Sequence, residues 1–267
     1  ERVIDNLLLK KGIKCGFKHE IHGLRVVDML TNYGAGLNLT YEVRDGIITH
    51  CGEAFERSIA PDRNRNIREL EDIDDRGLYP ATLEGCLVRM VDRIAYLGRD
   101  MEDAIKAGLI KKTDIPQDIA KFLGTDNGKI IGTFVNDTIA TSLGKDAIEM
   151  SPEIFHFMNQ LKQFNYEHIY MHPLVEQKSR KAAKMIELLF EELENLLEKS
   201  ERGKNTSIVQ IITREASVME IFFNFLKNTN YNETTESWRI VTDFIAGMTD
   251  LFAERTFMQL FTADRVI

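Results

Sequence analysis

Seven apolar residues, Leu83, Leu87, Met90, Ile94, Leu97, Met101 and Ile105, recur at steps of three and four. On a helix of 3.6 residues per turn they line up as one continuous stripe through residues 82–106. A stripe of that length must be covered by other secondary structure. No segment alternates apolar and polar residues for long enough to argue a sheet, whereas helical periodicity returns along most of the chain. Helices are predicted over 1–11, 19–33, 38–50, 115–122, 129–141 and 151–166. Further helices run from Pro173 to a stop at Gly203, then over 207–226 and 233–261. Residues 52–80 read as a long polar loop, where a small hairpin could form. The expected fold class is all-α.

The chain has 267 residues, enough for one large helical domain or two poorly separated ones. A net charge of −8 gives no bulk attraction to nucleic acid or anionic lipid, so any phosphate site must be a local cluster of cations. Binding of single-stranded nucleic acid is left open. No apolar run reaches the roughly 18 residues of a membrane span, and no signal-peptide pattern is present. Cys15, Cys51 and Cys86 are scattered without a CxxC pair, which suits a reducing cytoplasm, with three buried thiols as the simplest expectation.

The long helix carries chemistry on its other side. Asp92, Tyr96 and Asp100 stand at i, i+4 and i+8, one above another, with Arg89, Arg99 and Asp103 flanking them and Arg93 at the edge. Two carboxylates and a phenol beside guanidiniums can hold a cation and an anionic, hydroxyl-bearing ligand. The same residues also suit a solvated face laced with ion pairs. Spacing leaves both readings open.

Residues 83–104 resemble the helix that supplies the last aspartate of the His…HisAsp…Asp metal site in the dGTP triphosphohydrolase branch of the HD-domain phosphohydrolases. Residues 16–20 with 24–27, residues 36–47 and residues 243–250 resemble three further segments of that family, in the same order. The resemblance implies an HD-type helical core over 1–145, lacking its N-terminal helices. A C-terminal helical region over 146–267 would complete the nucleotide pocket.

It also implies roles. Asp92 would be a metal ligand for a divalent ion such as Mg or Mn, and Arg93 would reach the triphosphate. Tyr96 and Asp100 would pack on the deoxyribose and accept from its 3′-hydroxyl. His19 would act near the phosphates as an electrostatic or acid–base group. Tyr170 and His172 resemble the family's Tyr-x-His that lines sugar and base, and Lys162 falls where a related enzyme keeps a phosphate-binding arginine. Glu1 resembles the last residue of HisAsp-x-GlyHis-x-ProPheGlyHis-x-GlyGlu, a glutamate that partners a catalytic histidine three residues upstream. The chain as given would then lack the HisAsp doublet and be inactive on its own.

The implied activity is metal-dependent hydrolysis of deoxynucleoside triphosphates to deoxynucleoside and triphosphate. The implied partners are the dNTP substrate, further copies in a homo-oligomer, and an effector nucleotide between subunits. Alternatives are an HD phosphohydrolase acting on monophosphates or cyclic nucleotides, and a degenerate nucleotide-sensing or scaffold relative. His22, His156, His168 and the set Phe222, Phe223 and Phe225 read as structural. His50 reads as a helix-end residue. Arg63, Arg65 and Arg68 read as a solvated loop run, with contact to a neighbouring subunit's nucleotide as the alternative.

Overall fold

A computed structural model describes residues 1–51, 55–64, 78–201, 203–205, 209–210 and 217–262. The fold is all-α, and the strand pairing among the described residues is one two-residue ladder. The chain forms two compact units: a middle unit, Thr40–Lys178, and a split unit made of Glu1–Leu39 with Ser179–Ile267. These units differ from a linear division after residue 145, because helices on both sides of that point share one core.

The middle unit begins with α1 (Tyr41–Thr49) and centres on α2 (Leu83–Lys106). Thr82 starts α2, its hydroxyl accepting from the Gly85 N–H at 3.0 Å. Then follow α3 (Gln117–Phe122), α4 (Asn127–Ser142) and α5 (Pro152–Asn165), whose starts at Asp126 and Ser151 are capped in the same way. Met90, Ile94, Leu97 and Met101 of α2 pack with Ile130 and Phe134 of α4 and with Met158 and Leu161 of α5, all 2% exposed or less. Gly98 permits the close crossing of α2 and α4: a Cβ there would stand 2.8 Å from Asn127 Oδ1 and 3.2 Å from the Ile130 side chain.

The stripe is not buried along its whole length. Leu87 is 44% exposed, and the buried face in that part of α2 passes instead through Cys86, Arg89, Met90 and Arg93. Among the described residues α2, with 24 residues, is shorter than the helix Pro173–Lys199, with 27. The strands are also placed differently from a local hairpin. Ser58–Ile59 pairs antiparallel with Ile148–Glu149, a contact across ninety residues of sequence that no local pattern announces.

In the split unit α6 (Arg2–Lys10) and α7 (His19–Arg25) come first. The predicted helix over 19–33 changes character: Val26–Leu30 is a π turn and Asn32–Gly34 a 3₁₀ turn. After Ser179 the unit contains the rest of α8 (Pro173–Lys199), then α9 (Ser217–Asn228), α10 (Ser237–Ala246) and α11 (Asp250–Phe261). The last two were expected as one helix over 233–261. Gly247 ends the first, and the Thr249 hydroxyl caps the second by accepting from the Phe252 N–H at 3.2 Å. Leu8, Phe190, Leu193, Leu197, Phe222 and Val241 are fully buried in this core. Phe223 is buried as well, while Phe225 is only partly so.

Gly16 explains one segment of the resemblance. It has φ +58°, and a Cβ would fall 2.0 Å from Asp5 Oδ1, which accepts the Phe17 N–H at 2.8 Å. Asp243 explains another. Its carboxylate has no exposed surface and holds α7 to α10: Arg25 donates from Nε at 2.8 Å and from its second terminal nitrogen at 2.7 Å, and the Tyr231 hydroxyl donates at 3.0 Å.

His22 lies beside this pair, 8% exposed, with Nδ1 3.7 Å from Asp243 and neither ring nitrogen making a hydrogen bond. Burial, opposed by Asp243 and reinforced by Arg25 and Arg239, pulls its imidazole below the ordinary 6.5. The unfolded chain therefore takes up this proton first as pH falls. The stability His22 contributes is complete above pH 6.5 and declines below it, until the depressed folded value is reached. Urea unfolding at pH 7.5 and 5.5 is expected to show a smaller pH loss in His22→Leu than in the parent. An equal loss in both would remove His22 from the account.

The expected burial of three thiols holds for Cys86 alone, whose burial raises its pKa to about 11; Cys15 is exposed and Cys51 half-buried. His156 and His168 are exposed, the latter stacked on Phe164 at 4.5 Å. His50 ends α1, its Nδ1 2.6 Å from the Ile47 carbonyl oxygen. Arg63 pairs with Asp146 at the surface. Arg65 and Arg68 lie outside the described residues.

Candidate active site

The strip on α2 divides into three environments. Toward its end Arg99 pairs with Asp103 at 2.9 Å and reaches Glu102 at 3.9 Å, an exposed ladder of i,i+4 and i,i+3 contacts. These two flanking residues belong to a solvated face.

One turn earlier, Asp92 is exposed while Tyr96 and Asp100 are half-buried. Burial, then the charges of Asp92 and Asp100, raise the Tyr96 phenol above its usual range. Tyr170 comes to the same place from the far end of α5, its hydroxyl donating to Asp100 Oδ2 at 2.5 Å. The approach depends on a π turn at Tyr166–Tyr170, which widens the helix just after Asn165. Asn165 is fully buried, and its Nδ2 donates to the Leu97 carbonyl of α2 at 2.9 Å. Burial, then the bond to Asp100, raise the Tyr170 phenol as well. Tyr96, Asp100 and Tyr170 are thus brought together. His172, two residues on, is half-buried, and its Nδ1 accepts from the Leu174 N–H at 3.2 Å at the start of α8.

The third environment is cationic and buried. Arg89 and Arg93 are 2% and 4% exposed. One terminal nitrogen of Arg89 donates to the carbonyls of Thr49 at 3.2 Å, Cys51 at 2.7 Å and Leu78 at 2.9 Å, gripping both flanks of the long loop. Arg93 pairs with Glu56 at 2.8 Å, and the Tyr79 hydroxyl donates to the other oxygen of that carboxylate at 2.7 Å. Burial would raise the Glu56 carboxyl, but the bonds from Arg93 and Tyr79 and the charge of Arg89 hold it below the usual range. Lys162 sits 3.8 Å from the Phe55 ring centroid, and the Arg93 guanidinium carbon 5.1 Å from it. Burial, then the Arg93 charge, lower the Lys162 pKa. Arg93 and Lys162 therefore meet around Phe55. Spacing had set Arg93 at the edge of the strip and said nothing of Phe55, Glu56, Tyr79 or Asn165. A loop polar enough to need buried arginine anchors was the available signal.

Glu1 and His19 meet in the split unit, Glu1 Oε2 to His19 Nδ1 at 3.0 Å, with Glu20 Oε2 at 3.3 Å from the same nitrogen. These three bring ligand atoms within 4.8 Å of one another. Asp92 belongs to no such group of three among the described residues. Asp92 supplies one of the about four donors that a divalent centre needs. No helix among the described residues is long and apolar enough to cross a membrane.

Comparison with known proteins agrees with this architecture. A family model described as a phosphohydrolase-associated domain matches residues 148–259. The "deoxyguanosinetriphosphate triphosphohydrolase-like protein" of Caldanaerobacter subterraneus subsp. tengcongensis is 33% identical over 254 residues, covering 95% of this chain and 61% of its own length. Proteins of the same name from Desulfatibacillum aliphaticivorans and Clostridium tetani are 31% and 28% identical, over 95% and 100% of this chain and 64% of their own lengths. The chain thus spans about three fifths of the curated relatives it matches.

Proposed function

We propose, for a chain that belongs to the deoxyguanosinetriphosphate triphosphohydrolase-like family of HD-domain proteins, that the protein hydrolyses deoxynucleoside triphosphates to deoxynucleoside and inorganic triphosphate. The observation that carries this reading is the Tyr170 hydroxyl meeting Asp100 beside Tyr96. An aromatic face with a carboxylate at its edge suits a deoxyribose, which offers an apolar ring and a single 3′-hydroxyl donor to Asp100.

Asp92, one turn from Tyr96, is proposed as one donor to a divalent cation, which when bound would polarise the phosphate. Arg93 and Lys162 form the phosphate-facing side, where cations in a partly dry setting bind anions more strongly than in water. His172 closes the sugar and base end, its ring oriented by the bond from Leu174. Glu1 and His19 remain the acid–base candidates of their own unit, the Glu1 carboxylate orienting the imidazole through Nδ1.

The test is product chromatography. The full-length protein, as its gene encodes it, is incubated with dGTP and with the other dNTPs in Mg²⁺ or Mn²⁺. Deoxynucleoside plus triphosphate is the expected outcome. Pyrophosphate or orthophosphate as product would move the protein to another phosphohydrolase class. A second reading is a nucleotide sensor without turnover. It is selected if dNTPs bind and no product forms.

A further inference from the structure

The segment before β1 (Ser58–Ile59) presents two residues to the cationic side of the site, and three cations converge on them. Phe55 carries Lys162 and Arg93 about its ring, while Glu56 takes Arg93 at 2.8 Å and Arg89 at 3.5 Å. The Glu56 side chain is 22% exposed, against 4% for Arg93 and 3% for Arg89. Glu56 is therefore the more exposed partner in both ion pairs. Like charges gathered in a partly dry site are stable only when an anion sits among them, and Glu56 supplies one.

We propose that Glu56 is a resident anion holding the place of a substrate phosphate, and that a polyphosphate binds by exchanging with it for Arg93. This rests on Arg93 and Lys162 facing phosphate, as in the function proposed above. The exchange keeps the balance of charge at Arg93, which passes from a carboxylate to a phosphate oxygen. Glu56 retains the Tyr79 hydroxyl as its donor and is not left bare. Glu56 thereby sets phosphate affinity without touching the sugar, acting as a positioning residue through Arg93.

The probe is inorganic tripolyphosphate, titrated calorimetrically into the full chain and into Glu56→Gln, Tyr79→Phe and the double variant Glu56→Gln with Arg93→Gln. Glu56→Gln keeps size and one acceptor oxygen but removes the competing charge, so it is expected to bind about tenfold more tightly. Tyr79→Phe deletes one hydroxyl from a residue 41% exposed, with little risk to folding. Because that hydroxyl is the donor left to Glu56 once Arg93 has turned to the phosphate, its loss is expected to weaken binding by about two- to threefold. The double variant is expected to lose the gain. Unchanged or weaker binding in Glu56→Gln, tighter binding in Tyr79→Phe, or no tripolyphosphate binding by any form, would overturn the exchange. Failure of the hydrolase reading would appear elsewhere, in the dNTP products, because tripolyphosphate has neither sugar nor base.

Discussion

Asp243→Ala is expected to destabilise the split unit by about 3–5 kcal/mol, the usual cost of breaking a buried ion pair on one side. The carboxylate has no exposed surface and takes hydrogen bonds from Arg25 and Tyr231. Alanine would leave a guanidinium that is only 19% exposed and a half-buried phenol without their acceptor. Coulomb attraction is the smaller part of the effect, since desolvation of both charges offsets much of it. The cost arises from what is left behind. Replacing both partners, Arg25→Met with Asp243→Leu, is therefore expected to recover most of the loss, because an apolar pair of similar volume satisfies the same space. Urea unfolding with an unchanged m-value reads both variants. A loss below about 1 kcal/mol for the single change would mean that the contact contributes little.

On the proposed hydrolase reading, Asp92→Asn in the full-length protein is expected to lower dNTP turnover by about a thousandfold or more, the size of an effect worth several kcal/mol at the reacting phosphate. Stability should barely respond, because Asp92 is exposed and such substitutions stay within about 0.5 kcal/mol. This contrast separates the two readings of the strip. A carboxylate in a solvated face changes neither quantity on losing its charge, whereas a cation donor changes only turnover. Turnover within about tenfold of the parent, measured on the same preparation with the same unfolding curve, would return Asp92 to the surface face. The substitution is the sharper for being nearly isosteric.

How much of this was legible in advance depends on the range of the forces involved. Met90, Ile94, Leu97 and Met101 announce their burial by spacing, because helical period and apolar character are local properties. Leu87 obeys the same spacing and is exposed, while Arg89 and Arg93 are buried. There the loop flanks at Thr49, Cys51 and Leu78 offer carbonyls that only a guanidinium satisfies, and that need is invisible from α2 alone. The break at Gly247 was readable in Gly-Met-Thr, a stop followed by a cap, but the apolar pattern ran across it.

The candidate site divides in the same way. The register of Asp92, Tyr96 and Asp100 follows from four-residue spacing on one helix and needs no fold to establish it. The meeting of Asp100 with Tyr170 joins residues seventy apart and depends on a π turn, an inserted widening that periodicity does not encode. The convergence of Lys162 and Arg93 on Phe55, and the hold of Glu56 on the arginines, likewise come from chain segments distant in sequence.

By itself the sequence determined the helical class, the apolar stripes, several caps and the order of the chemistry-bearing residues, since each is decided within a few turns of chain. Only the tertiary structure decided which charges are dry, which are paired and which face solvent. Those outcomes turn on desolvation, and a group's desolvation is set by neighbours that the chain brings from elsewhere.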